Sequence, residues 1–409
     1  MSDLTRREVL RNGGLLAVGL MAPPWLASIA EADMVRGAQG KKLDPDAVLV
    51  VCQLSGGNDG LNTVVPVNSE QYYKMRPTLG IPKDQALGFA DGLAFHPAMT
   101  GMHDLYKKGQ VAVIQNVGYP NPNRSHFRSM DIWQSASPDD KMKHGWLGRH
   151  FDISMKDGKL DPVAAIGLST EKPRALSATQ ASIPCFASLA DIQNMVGDAD
   201  MEKLLRDVQG TMAAEGTTAR AIQQANISAL DAVSALNTKL KGYTPTGTYG
   251  DDAFGRGFKQ ITQLIAVSPQ TRVIYFSVGG FDTHARQADS HKALMTGFSG
   301  GIKAFMDEMA AIGKADKVVV LVFSEFGRRT YENGSAGTDH GSAAPMFLVG
   351  SRVKGGVYGP NPDLADLQDG DIRHKIDFRQ VYATALDDWM GSDSKMVLGS
   401  SFERIAALK

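Results

Sequence analysis

The chain reads as a mixed α/β protein, with a mostly parallel sheet and helices on both faces. Apolar, β-branched runs of strand length recur at residues 47–54, 111–116, 272–278, 317–323 and 346–349. They are continuous rather than alternating, the pattern of strands buried on both faces. Helical segments lie among them at residues 96–108, 254–266, 299–313 and 378–390. Strands that alternate with helices imply parallel crossovers.

The first element is an address rather than part of the fold. Thr5-Arg6-Arg7-Glu8-Val9-Leu10 carries twin arginines, residues 13–21 are mildly apolar, and Ala30-Glu31-Ala32 is a small-x-small cleavage site. A short amphipathic helix is the competing reading. The apolar run is too short for a permanent anchor, which needs about 20 residues. We therefore expect a twin-arginine signal peptide over 1–32, a mature chain over 33–409, and a periplasmic or secreted location.

Composition narrows the partners. The net charge is −1, and segment 1–32 balances three arginines against Asp3, Glu8 and Glu31. That balance argues against nucleic-acid or anionic-membrane binding through bulk charge. The only cysteines, Cys52 and Cys185, lack thiolate metal spacing. They read as two buried thiols, with a single disulfide as the alternative. Residues 186–250 read as a helical insertion, with Ile227, Leu230, Val233, Leu236 and Leu240 at helical spacing.

Chemistry concentrates where strands end. Asp59 follows the first strand in Gly56-Gly57-Asn58-Asp59-Gly60. Asp282 and His284 follow the run 272–278 in Gly280-Phe281-Asp282-Thr283-His284, and Asp339-His340-Gly341 precedes the run 346–349. Ligands in open α/β sheets bind at the carboxyl ends of strands. Carboxylates and imidazoles gathered there suit a divalent metal, zinc first, with calcium, magnesium or manganese as alternatives. Each motif taken alone also reads as an ordinary turn.

Two further segments add candidates. Ser125 opens a helix in Asn123-Arg124-Ser125-His126-Phe127. There it is either a metal-activated nucleophile or simply an N-cap. His126 is a ligand or general acid, and Arg124 or Arg128 a clamp for an oxyanion. In Ser324-Glu325-Phe326-Gly327-Arg328-Arg329, Glu325 is placed to ligate. Arg328 and Arg329 could meet a phosphate or sulfate, or else form surface ion pairs.

Taken in order, these motifs resemble a bacterial family of twin-arginine-exported proteins of unknown function, related to alkaline phosphatases and sulfatases. The resemblance runs from about Ala47 to the C-terminus. It implies an alkaline-phosphatase-like three-layer sandwich with a helical insertion. Asp59 resembles that superfamily's first metal-binding aspartate, Ser125 its nucleophile, and Asp282 with His284 its Asp-x-x-x-His pair, shortened. His340-Gly341 resembles its last histidine ligand. Phe326 stands where the superfamily has a histidine, which implies one tightly held ion with a second weak or absent.

The expected function is an exported metal-dependent hydrolase of phosphate or sulfate esters acting on a small-molecule substrate. Asp59, Asp282, His284, Glu325, Asp339 and His340 would hold one or two ions. Ser125, His126 and Arg328 would carry the chemistry. The alternative is a non-catalytic periplasmic binding or assembly protein that keeps the fold and a structural metal.

Overall fold

A computed structural model describes residues 44–155, 159–195 and 217–409, with residues 203, 206, 207 and 212–214 between them. The segment 1–32 read as an export signal lies outside the described residues, as does most of 196–216.

Among the described residues, nine strands form the main sheet: β1 (Val48–Leu54), β2 (Val111–Gly118), β3 (Ala165–Leu168), β4 (Cys185–Phe186), β5 (Val273–Val278), β6 (Val318–Phe323), β7 (Ala344–Val349), β8 (Gly356–Tyr358) and β9 (Ile376–Asp377). Their order is β8-β2-β7-β6-β1-β5-β3-β4, with β9 also on β2. Only the pairings of β7, to β2 and β6, are antiparallel; the others are parallel. The start of β7 therefore lies at the same edge as the ends of β1, β2, β5 and β6. That single reversal brings the Asp339-His340 segment alongside the other motif loops.

The sheet is the middle of three layers. Val48, Val50, Cys52 and Leu54 of β1 pack toward α1 (Thr100–Lys107), α4 (Thr218–Leu240), α5 (Ala253–Val267) and α6 (Gln287–Ala311). Leu49 and Val51 face α2 (His126–Ser135), α3 (Trp146–Ser154) and α7 (Phe378–Thr384). Period-2 alternation within a wholly apolar strand thus feeds two cores at once. In α4, Leu230, Val233, Leu236 and Leu240 are buried, while Ile227 is half-buried.

Helix α6 begins twelve residues before the stretch 299–313 read from sequence. Its first turns look solvent-facing, with Asp289, Ser290 and Lys292, yet Gln287, His291 and Met295 recur at i, i+4, i+8 and are buried. Gly301 lets the helix press against Phe254, whose backbone would meet a Cβ at 3.1 Å. The thiols are free: Cys52 is buried, and Cys185 is half-buried on β4. β4 is the third strand from β1, about 14 Å away at normal strand spacing and beyond disulfide reach.

Candidate metal centre

Four loops meet at the carboxyl edge of the sheet, and two glycines let them meet. Gly56 has φ +120°, and a Cβ there would stand 2.5 Å from the Asp282 backbone nitrogen. Gly57, at φ +82°, would drive a Cβ into the Phe326 ring at 2.3 Å. Only glycine takes these conformations at such close approach without large strain.

Asp282 is the hub. Its Oδ1 lies 3.0 Å from His284 Nε2 and 3.0 Å from His340 Nε2, and those two nitrogens are themselves 3.0 Å apart. Its Oδ2 lies 3.4 Å from His126 Nε2. Ligand atoms of His126, Asp282 and His340 all fall within 4.8 Å of one another. Asp282 and His284 are about half exposed, so the group opens to solvent. Burial pushes the Asp282 carboxyl pKa up, but the hydrogen bond (2.6 Å) and charge of Arg328 outweigh it and hold it well below the usual carboxylate range.

The other ring nitrogens are spoken for. His284 Nδ1 faces Asp339 Oδ1 at 3.0 Å, His126 Nδ1 faces Glu325 Oε1 at 3.0 Å, and His340 Nδ1 faces the Arg124 carbonyl at 2.7 Å. All three partners only accept, which assigns the proton to Nδ1 in each ring. In the neutral rings, every Nε2 then presents a lone pair to its neighbours. Lone pairs 3.0 Å apart repel unless a proton or a metal cation lies between them. His126 Nε2 is buried and makes no hydrogen bond. Spacings near 3.0 Å also suit ligand atoms bonded at about 2.0–2.2 Å to one ion. The residues present therefore fit a divalent cation held by His126, Asp282, His284 and His340.

The remaining candidates stand around that group. Asp339, also held by Asn333 Nδ2 at 3.1 Å, orients His284. Glu325 is buried, accepts from the Gly56 backbone N–H at 2.8 Å, and orients His126. Carboxylates in this position fix the ring and raise its basicity as a ligand. The buried Arg328 donates to the carbonyls of Gly57, Thr338 and Phe281, and to Asp282. It ties the loops together and is committed to protein acceptors. Ser125 caps α2 with its hydroxyl exposed and without the usual capping bond.

Asp59 lies in a different setting. It is buried against Arg76 at 2.6 Å, with neither side chain exposed, and accepts from Gln287 Nε2. Burial raises its pKa, and the Arg76 charge more than reverses the effect. The structure does not bring Asp59 into the imidazole group.

Arg76, Gln287 and His291 escape a sequence reading. Gln287 Nε2 donates to Asp59, while its Oε1 accepts from Thr283 Oγ1 at 2.9 Å and Thr338 Oγ1 at 2.6 Å. One fully buried amide thus joins the loops bearing Asp59, Asp282 and Asp339. Its signal was the i, i+4 pattern with His291, masked by charged neighbours. Phe326 packs tilted against His126 and His340, with ring centroids 4.9 and 4.7 Å away, and makes an apolar floor.

Among solved structures, the chain is similar to a sulfatase from Pseudoalteromonas sp. (TM-score 0.38, 11% identity, 94% of this chain and 75% of that one). It is also similar to a protein of the alkaline phosphatase superfamily from Vibrio parahaemolyticus (TM-score 0.35, 8% identity, 84% and 75%). A third is the C-terminal periplasmic domain of EcEptC from Escherichia coli in complex with zinc (TM-score 0.35, 10% identity, 76% and 74%). No curated protein matches the sequence. A family profile matches from residue 46 to residue 404, and the chain belongs to that family, DUF1501, described as a protein of unknown function.

Proposed function

We propose that this protein is an exported, metal-dependent hydrolase of phosphate or sulfate esters. The observation that carries the reading is the three imidazoles, each with Nδ1 tied to an acceptor and Nε2 turned toward the Asp282 carboxylate. A buried polar network that closed on itself would serve structure alone. This group is open to solvent and ends in inward lone pairs, the mark of a site that keeps a position for substrate.

A divalent cation bound there supplies charge that offsets negative charge developing on ester oxygens. The chain's residues do the rest. Asp339, Glu325 and the Arg124 carbonyl fix the ring tautomers. Arg328 holds Asp282 ionised and aimed. Phe326 keeps one wall dry, which strengthens electrostatics beside it. Ser125, one residue before His126 at the start of a ten-residue helix, is the group we assign to attack phosphorus or sulfur.

The test is elemental analysis of purified mature protein, followed by a screen of phosphate monoesters, diesters and sulfate esters with added metals. Bound zinc or a similar ion and turnover of at least one ester class are expected. Ser125→Ala should abolish turnover with metal content and melting temperature unchanged; wild-type activity in that variant would pass the attack to water. Absence of hydrolysis under every metal supplement overturns the enzyme reading. Export is read separately: Arg6→Lys with Arg7→Lys should leave precursor in the cytoplasm, and mature protein outside it would refute the twin-arginine route.

A further inference from the structure

A cavity of about 190 Å³ adjoins the metal centre and shares Arg124 and Phe326 with it. Tyr119 also lines it, and its ionisable groups are Arg124, Asp369, Asp371 and His374. The turn Gln368-Asp369-Gly370-Asp371 builds one side. Asp369 at φ +53° and Gly370 at φ +80° make the Asp-Gly hairpin turn that sets Asp371 inward.

Asp371 is the unusual residue. Its side chain is only 2% exposed. Oδ2 accepts from Arg124 Nε at 2.9 Å and Nη2 at 2.5 Å, whereas the buried Oδ1 accepts no hydrogen bond. Among the described residues, the other cation near it is Arg329, whose Nη1 stands 3.9 Å away, beyond hydrogen-bond reach. Burial raises the Asp371 pKa, in keeping with an acceptor that lacks donors. An unmet buried acceptor beside a cavity calls for a donor from outside the chain.

The charges select which donor. An anion would meet Asp369 and Asp371, and an ammonium would meet Arg124 against the carboxylate. His374 adds no charge near neutrality, because burial lowers its pKa. A neutral group that donates to Asp371 Oδ1 and accepts from Arg124 answers both sides, and adjacent hydroxyls do this. Phe326 and Tyr119 supply apolar faces suited to ring C–H groups.

Resting on the hydrolase reading, we infer that this cavity binds the hydroxyl-bearing, sugar-like alcohol portion of the ester substrate. The Arg124 carbonyl also holds His340, so the same residue borders both the alcohol and the metal ligands.

The test uses metal-loaded protein and methyl α-D-glucopyranoside as probe, followed by calorimetry and saturation-transfer NMR. Millimolar binding is expected, and loss of binding by the fully O-methylated analogue. Asp371→Asn keeps the shape and removes the charge; it should weaken binding at least about tenfold with metal content retained. Equal binding of the methylated probe, equal affinity in Asp371→Asn, or no binding to wild type each overturns the subsite. Binding is read without turnover, so failed ester hydrolysis counts against the enzyme reading alone.

Discussion

Asp59 and Asp282 begin as near twins. Each follows a Gly-Gly turn at the end of a parallel strand, and the strands are neighbours, with Leu54 in register with Val278. Asp59 meets a fully buried guanidinium and an amide inside the core; Asp282 also meets a buried guanidinium, Arg328, but shares its half-exposed carboxylate with three imidazoles. A carboxylate whose charge is cancelled inside the core anchors loops. One ringed by lone pairs at an open edge can hold a cation. Motif and residue type are the same, and the partner across the fold assigns the role.

The comparison breaks most decisively at the imidazole group. His340→Ala and Asp282→Ala should each lower metal affinity at least about 100-fold, measured by competition with a chelator, and abolish any ester turnover. Metal retained at wild-type affinity in both variants would place the ion elsewhere, with Asp59 the next candidate.

Arg76→Met attacks the other twin. It leaves the Asp59 charge buried and unpaired, which should cost about 3–5 kcal/mol of stability in denaturant unfolding. Folded molecules should still bind metal. A variant with unchanged stability but lost metal would make Asp59 a ligand rather than an anchor.

Gln287→Leu joins the two regions in one experiment. It removes the amide that links Asp59 to Thr283 and Thr338. Metal affinity should fall about tenfold through loosened loops, with a smaller stability loss than Arg76→Met. Unchanged affinity would show that Arg328 alone positions Asp282.

The smallest effect is on pH. The Glu325 hydrogen bond, partly offset by burial and reinforced by nearby charges, raises the His126 pKa above its usual 6.5. In metal-free protein this pair contributes stability fully present below 6.5 and lost as pH rises through the raised value. Metal needs His126 deprotonated, so affinity should climb over that same interval. A flat affinity between pH 6 and 8 would remove His126 from the ligand set.

Much of this was legible from local pattern. The strands at 47–54, 111–116, 272–278, 317–323 and 346–349 differ from the observed ones only at their ends, because continuous β-branched runs have few alternatives. That Asp282, His284 and His340 meet at one edge of the sheet was readable, because glycines and strand ends flag where loops converge. Arg76 was not: Met75-Arg76-Pro77 carries no local signal, and only the fold carries its side chain to Asp59. The start of α6 was hidden because exposed and buried polar residues look alike in one dimension.

Residue chemistry along the chain determined which groups could bind a cation and at which edge of the sheet they would lie. Tertiary structure decided their roles. The reversed β7 and the close approaches at Gly56 and Gly57 set four loops against one another. Candidate ligand, neighbouring carboxylate and buried anchor then differ only by which atom stands about 3 Å away. Distances of that kind join residues from 17 positions apart, as for Asp59 and Arg76, to 228 apart, as for Asp59 and Gln287, and no local pattern encodes them.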